Sequence, residues 1–337
     1  MAHAVETPRD SGPLQVDLPD LRGYAQLIDG LGFDLGTLQT QAETYCVDAD
    51  FGKILEDLTS DYAALLPQLK ELLGENEVLM KQYARALDIQ VLDYERTDDG
   101  VAGSFGSDGI RGDTGTNTGG FAASSPIDWT ASPYPSESSL PEVSFGFVFD
   151  RLAWALETFC NWDVRTEVTD WIAGDVVGLS TQAHCWQLIG QRLGDTDSSL
   201  STGEIKIYDT WSGQAASAHA SSMIGWSQAL TSQSTGLADL GEHLRSLAAE
   251  AVNVAQMVVD CIRLAIDLIT SAWALQYIPI YGQAKFIQKA WNAYKTASKA
   301  TAYIRMLISA LRVVKDYIVV LIDTLTPSML PPKPMGV

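Results

Sequence analysis

The chain has 337 residues, 46% of them apolar, which is enough to bury one large core or two ordinary ones. Its net charge of −20 is concentrated in residues 1–150, where 26 acidic side chains meet only 8 basic ones. Phosphate backbones would be repelled by that half, so nucleic acid is excluded as a partner.

The first fifteen residues, MAHAVETPRDSGPLQ, lack the apolar run of a cleaved leader, which predicts no Sec-type export. From Leu21 the apolar residues Leu21, Tyr24, Ile28, Leu31, Leu35, Leu38, Ala42 and Tyr45 alternate steps of three and four. That is one seam of a helix, and Pro19 and Asp20 stand where a helix begins. A polar break at 46–50, with Asp50 as N-cap, reverses the chain. The seam resumes at Leu55, Leu58, Tyr62, Leu65, Leu69 and Leu72 and runs through Leu79 and Tyr83 to about Leu92. Residues 18–98 therefore predict an antiparallel helical hairpin behind a disordered 1–17, with a bend or break at Pro67. Tyr94 and Asp98, four residues apart at its end, share a face if the helix reaches them.

Residues 99–142 turn to Gly, Ser, Thr, Asp and Pro and predict a flexible linker. Order returns near Val143 with a short apolar helix ending at Asn161-Trp162-Asp163. A longer helix is expected over Val164–Leu193, burying Trp171, Ile172, Val176, Leu179, Ala183, Trp186, Ile189 and Leu193, and then a polar loop over Gly194–Gly203.

The turn Tyr208-Asp209-Thr210-Trp211-Ser212-Gly213 follows, in which Gly213 permits backbone angles closed to other residues and Trp211 can plug the end of a helix pair. After it Met223, Trp226, Leu230, Leu237, Leu240, Leu244, Leu247, Ala251, Val254 and Val258 keep three-four steps, apart from one skipped position at Gln233. A helix over Gln214–Ala272 would be roughly 90 Å long at 1.5 Å per residue. Its segment Val252–Leu275 is interrupted by Asp260, Arg263 and Asp267, so it predicts core and not a membrane span. Ile278-Pro279-Ile280-Tyr281-Gly282 reverses the chain, and a last helix is expected over Gln283–Leu325. Its stripe is Ile287, Ala290, Trp291, Tyr294, Ala297, Ile304, Leu307, Ile308 and Leu311; its cations include Lys285, Lys289, Lys295 and Lys299. Residues 326–337, with four prolines, read as an unpacked tail.

The fold class expected is all-α: an elongated antiparallel four-helix bundle from two helical hairpins, with additional C-terminal helices. The four cysteines show no CxxC pair, His184 and Cys185 are consecutive and so diverge on a helix, and the histidines are scattered. No catalytic, cofactor-binding or metal-ligating set emerges, and none is expected.

Helical flanks around Trp211-Ser212-Gly213, together with Tyr94-x-x-x-Asp98 after an earlier hairpin, resemble the Trp-Xaa-Gly substrates of type VII (ESX) secretion. The order is similar to the fused PE-like (18–98) and PPE-like (143–325) architecture of the ESX secretion-associated protein B family. Residues Trp154–Gly213 and the helix beyond are also similar to the N-terminal Trp-Xaa-Gly domains of actinobacterial polymorphic toxins, although a toxin domain is not expected within these 337 residues. The resemblance implies that Trp211, Gly213, Tyr94 and Asp98 meet at one end of the bundle as a composite export signal read by the type VII ATPase. It further implies a non-enzymatic protein, secreted without a cleaved leader, that acts by interaction and oligomerises. The alternative reading is a membrane-surface or pore-forming effector that uses the C-terminal helices, with Lys285, Lys289, Lys295 and Lys299 on anionic lipid.

Overall fold

The structure, a computed structural model, describes residues 14–46, 56–104, 121, 146–168 and 175–334. It is all-α. Eight helices occur among these residues: α1 (Leu18–Tyr45), α2 (Glu56–Ser104), α3 (Gly146–Cys160), α4 (Val164–Glu167), α5 (Val176–Ile207), α6 (Gln214–Ala272), α7 (Tyr281–Ala297) and α8 (Lys299–Thr324). The only sheet described joins two short strands, β1 (Gln15–Val16) and β2 (Trp211–Ser212).

α1 starts where Asp17 caps it, the Asp17 carboxylate accepting from the Asp20 N–H at 3.1 Å with Pro19 in the first turn. Its seam from Leu21 to Ala42 is buried; Tyr45 instead faces solvent and Cys46 takes its place in the core. The predicted N-cap Asp50 and seam residue Leu55 lie outside the described residues. α2 is unbroken at Pro67, whose ring stands on the exposed side of the helix. It also continues past Asp98 to Ser104, so the start of the expected linker is helical; the rest of that linker, Phe121 apart, lies outside the described residues. Phe121 packs on Tyr24 of α1, with Lys206 of α5 over its ring at 4.2 Å.

The long helix expected over Val164–Leu193 is two. α4 ends at Glu167, and α5 begins afresh from Asp175, whose carboxylate accepts from the Gly178 N–H at 2.8 Å; Trp171 and Ile172 lie outside the described residues. α5 then passes straight through Gly194–Gly203, the stretch that reads as a loop. Burial carries the helix on: Thr196, Leu200, Gly203, Glu204 and Ile207 extend its buried face, while the hydroxyls of Thr196, Ser198 and Thr202 are accommodated by donating to the carbonyl four residues back.

α1 packs against α2 and α5, α5 against the first half of α6, and α8 against both α6 and α2; α7 and α3 cover the far half of α6. α5 and α6 meet backbone to backbone. A Cβ on Gly190 would lie 2.7 Å from the Ser234 carbonyl, and one on Gly241 would lie 2.5 Å from the Ala183 carbonyl, so any larger residue would push the helices apart. The skipped position in the α6 stripe is filled by a polar pair: Gln233 and Asn76 of α2, both fully buried, exchange amide hydrogen bonds at 2.5 and 3.1 Å. Trp186 of α5 donates to the Tyr62 hydroxyl of α2 at 2.8 Å, and Arg192 of α5 pairs with Asp34 of α1 at 2.5 Å. These contacts tie the first hairpin to the second.

The last helix is also divided, at Ser298, and of the stripe expected on its first part Ala290 and Ala297 are buried and Tyr294 packs on the core, while two members miss it. Phe286, Ala290, Ala293 and Ala297 are buried, whereas Ile287 and Trp291 are exposed, because α7 turns its small residues toward α6 and α3. Nor is the proline-rich segment from Thr326 loose as far as Pro334. Gln68 of α2 donates to the Leu325 carbonyl at 3.1 Å, Tyr83 donates to the Pro332 carbonyl at 2.6 Å, and Pro331 is buried against Gly225. Beyond the end of α8 these carbonyls have no helical N–H to accept from, and side-chain donors of α2 satisfy them.

Candidate functional site

The turn at Trp211 is held from both sides. β1 pairs antiparallel with β2, with Gln15 opposite Ser212 and Val16 opposite Trp211. The Asp17 N–H extends the pairing to the Thr210 carbonyl at 3.1 Å, and the Thr210 hydroxyl donates to the Asp20 carboxylate at 2.9 Å. The chain start thus straps the turn to the first turn of α1. Gly213 caps α6 at φ 108°, a conformation L side chains rarely adopt, and a Cβ there would press on Leu14 at 3.3 Å. The positive φ is what calls for glycine, since the exposed Leu14 side chain could give way.

Trp211 is buried, and its indole N–H points to the Tyr94 hydroxyl at 3.4 Å. Tyr94 is half-buried against the core, and its neighbour Glu95 forms an ion pair with Arg22 of α1 that fixes this part of α2. Asp98 lies one turn further along the same helix and is exposed. Trp211, Gly213 and Tyr94 therefore meet at one end of the molecule, with Asp98 on the open surface beside them. Lys285, Lys295 and Lys299 are exposed and Lys289 half-buried; all belong to α7 and α8, away from this end.

Beneath Trp211 lies a group of buried polar residues that the motif search passes over. The His219 ring packs on Trp211 and on Tyr24, both at 5.4 Å between centroids, and its Nδ1 shares a hydrogen bond with the Tyr208 hydroxyl at 2.9 Å. Burial holds the imidazole down at about 3, so it is neutral. Glu204 of α5 is pushed up to about 7, first by burial and then by the charge of Asp197, and is half protonated near neutrality. Burial, and then the Glu204 charge, also push the Tyr24 and Tyr208 hydroxyls up. His219 has a sequence signal that a search for catalytic spacing ignores: it stands in the apolar phase Ala216, His219, Ala220, Met223 of α6.

His184 and Cys185 diverge as consecutive helical residues must. The Cys185 thiol faces α1, 3.9 Å from the Gln41 carbonyl, whereas His184 is partly exposed with its pKa lowered by burial. Among the described residues no group of three or more His, Cys, Asp or Glu is arranged to hold a metal, and no helix is long and apolar enough to cross a membrane.

Comparison with protein-family models, curated proteins and solved structures finds no match to this chain.

Proposed function

We propose that this protein is a non-enzymatic substrate of a type VII secretion system, exported in folded form and acting outside the cell as a helical interaction protein that oligomerises. In this reading α1/α2 and α5/α6 are the two hairpins of an antiparallel four-helix bundle, PE-like and PPE-like, carried in one chain. One observation carries it: the buried indole of Trp211 reaches from one hairpin to the Tyr94 hydroxyl of the other, 117 residues away in the chain, and Asp98 stands exposed one turn on. A composite signal of Trp-Xaa-Gly and Tyr-x-x-x-Asp needs this juxtaposition, and neither motif alone would produce it.

The partner expected at this surface is the secretion ATPase. Export is tested by comparing release of the uncleaved full-length protein from the native host with release from a strain lacking the type VII ATPase. Loss of release in that strain, and in the wild-type strain carrying Tyr94→Ala or Asp98→Ala, is expected. Continued release in both settings would sink the reading.

A further inference from the structure

The end of α6 opposite Trp211 has a different surface chemistry. α6 gives way at Ala272 to a short turn of 3-10 helix, Trp273–Tyr277; Ile278-Pro279-Ile280 then reverses the chain into α7. At this tip Tyr277 is 75%, Ile280 86% and Tyr281 65% exposed, and Ile278 is 48% exposed. Ile280 is held at φ 58°, ψ −71°, where a β-branched residue is strained. Hydrogen bonds bracket it: Tyr281 N–H to the Pro279 carbonyl at 2.7 Å, Gln283 N–H to the Ile278 carbonyl at 3.2 Å and Ala284 N–H to the Ile280 carbonyl at 3.1 Å. The fold thus fixes a large apolar side chain in water when a glycine there would relieve the turn.

Beneath the tip, Trp154 of α3 packs on Trp273 at 5.7 Å, and Phe286 of α7 packs on Trp273 at 6.0 Å, making a rigid aromatic base. An open groove of 530 Å³ lies alongside, between Trp154, Trp273 and Tyr277. The cations near the tip are Lys285 and Lys289 of α7 and Arg151 of α3, whose guanidinium lies over the Trp273 ring at 4.9 Å; the carboxylate that lines the groove, Asp150, is paired with Arg165. Lys285 lies over the Tyr281 ring at 4.5 Å, beside the exposed isoleucine.

We infer that this tip, Tyr277 to Tyr281 with Lys285 and Lys289 behind it, inserts into the headgroup region of an anionic lipid bilayer. Ile278 and Ile280 reach the acyl boundary, the tyrosines and Trp154 sit at headgroup level, and the lysines meet the lipid phosphates and carboxylates. Charge selects this occupant over a second copy docked tip to tip, since a two-fold contact would set Lys285 against its own equivalent. The inference does not rest on the export reading.

The test is co-flotation of the full-length protein with phosphatidylcholine vesicles, with and without phosphatidylserine, at low and high salt. Binding is expected only with phosphatidylserine and should fall as salt rises. Ile280→Asp should weaken it about tenfold to a hundredfold, the equivalent of losing one buried isoleucine. Lys285→Gln with Lys289→Gln should weaken it and reduce its salt dependence. Val313→Asp, an equally apolar exposed position on α8, is the control and should bind as wild type. Unfolding curves and near-ultraviolet circular dichroism of each variant guard against misfolding. Absence of flotation at low salt overturns the proposal, as does equal binding by Ile280→Asp. It is also overturned if the protein self-associates without lipid in sedimentation and Ile280→Asp abolishes that association while leaving flotation intact.

Discussion

The buried pair beneath Trp211 gives stability a pH profile of defined shape. Glu204 has an ordinary value of 4.5 and is raised to about 7 in the fold, so between those limits the folded chain holds a proton that the unfolded chain has lost. Its contribution is fully present below pH 4.5 and is lost as pH rises through 7, at about 1.4 kcal/mol per pH unit and about 3 kcal/mol in all. His219 acts in the opposite sense. With an ordinary value of 6.5 lowered to about 3, its contribution is full above pH 6.5 and is lost as pH falls, by about 5 kcal/mol down to pH 3. From pH 4.5 to 6.5 the two slopes cancel, and Glu204→Gln removes one of them. Relative to wild type, the variant should therefore be about 3 kcal/mol less stable at pH 4.5 than at pH 7, measured by urea unfolding with tryptophan fluorescence. The difference between the two proteins isolates this residue from the many surface carboxylates that titrate in both. If wild type and Glu204→Gln run parallel from pH 4.5 to 7, Glu204 is ionised in the fold and the account of this pocket is wrong.

Asn76→Ala should cost about 3 kcal/mol, because it deletes two hydrogen bonds and strands the buried Gln233 amide. Asn76→Leu with Gln233→Leu should recover most of that loss; additive costs in a urea double-mutant cycle would deny the coupling. The export variants should separate by burial: Asp98→Ala should leave stability within about 0.5 kcal/mol of wild type, while Tyr94→Ala should cost about 1–2 kcal/mol. Equal thermal shifts for the two would count against the Trp211–Tyr94 contact.

The helical character and the long helices were legible because their burial is periodic. α6 has the bounds that the pattern from Met223 to Val258 and the flanking Gly213 and Ile278-Pro279 predict. Sequence reading faltered where local polarity and tertiary burial disagree. Gly194–Gly203 looks like a loop, yet Gly203 is there because Tyr24 and Leu27 leave no room for a Cβ. Pro67 looks like a break, but one exposed proline costs less than interrupting a helix buried along its length. At the site, the types and spacing of Trp211, Gly213, Tyr94 and Asp98 could be read; the strap of Gln15–Val16 across β2 could not, since two residues carry no periodicity. On α7 the expected Ala290, Tyr294 and Ala297 do face the core, but Ile287 and Trp291 do not; Phe286 and Ala293 take their places, because the narrow alanine face lets α7 lie close to α6.

A net charge of −20 would seem to keep this protein away from an anionic surface, but distance decides the matter. α6 has 59 residues and so separates the Trp211 turn from the Tyr277–Tyr281 tip by roughly 90 Å. Exposed charges are screened over about 8 Å at physiological ionic strength. The acidic side chains near Tyr94 and Asp98 therefore exert almost no force on lipid at the tip, whereas Lys285, 4.5 Å from the Tyr281 ring, acts within one screening length of it. Lowering the salt lengthens that range and brings more of the acidic half into play, so attraction at the tip and repulsion of the whole grow together. A tip that binds by cations and apolar side chains jointly should keep its selectivity for phosphatidylserine across that range, because the lysines at the contact set the sign of the local field. Contact through the acidic hairpin would show the opposite preference and favour neutral vesicles at every salt concentration.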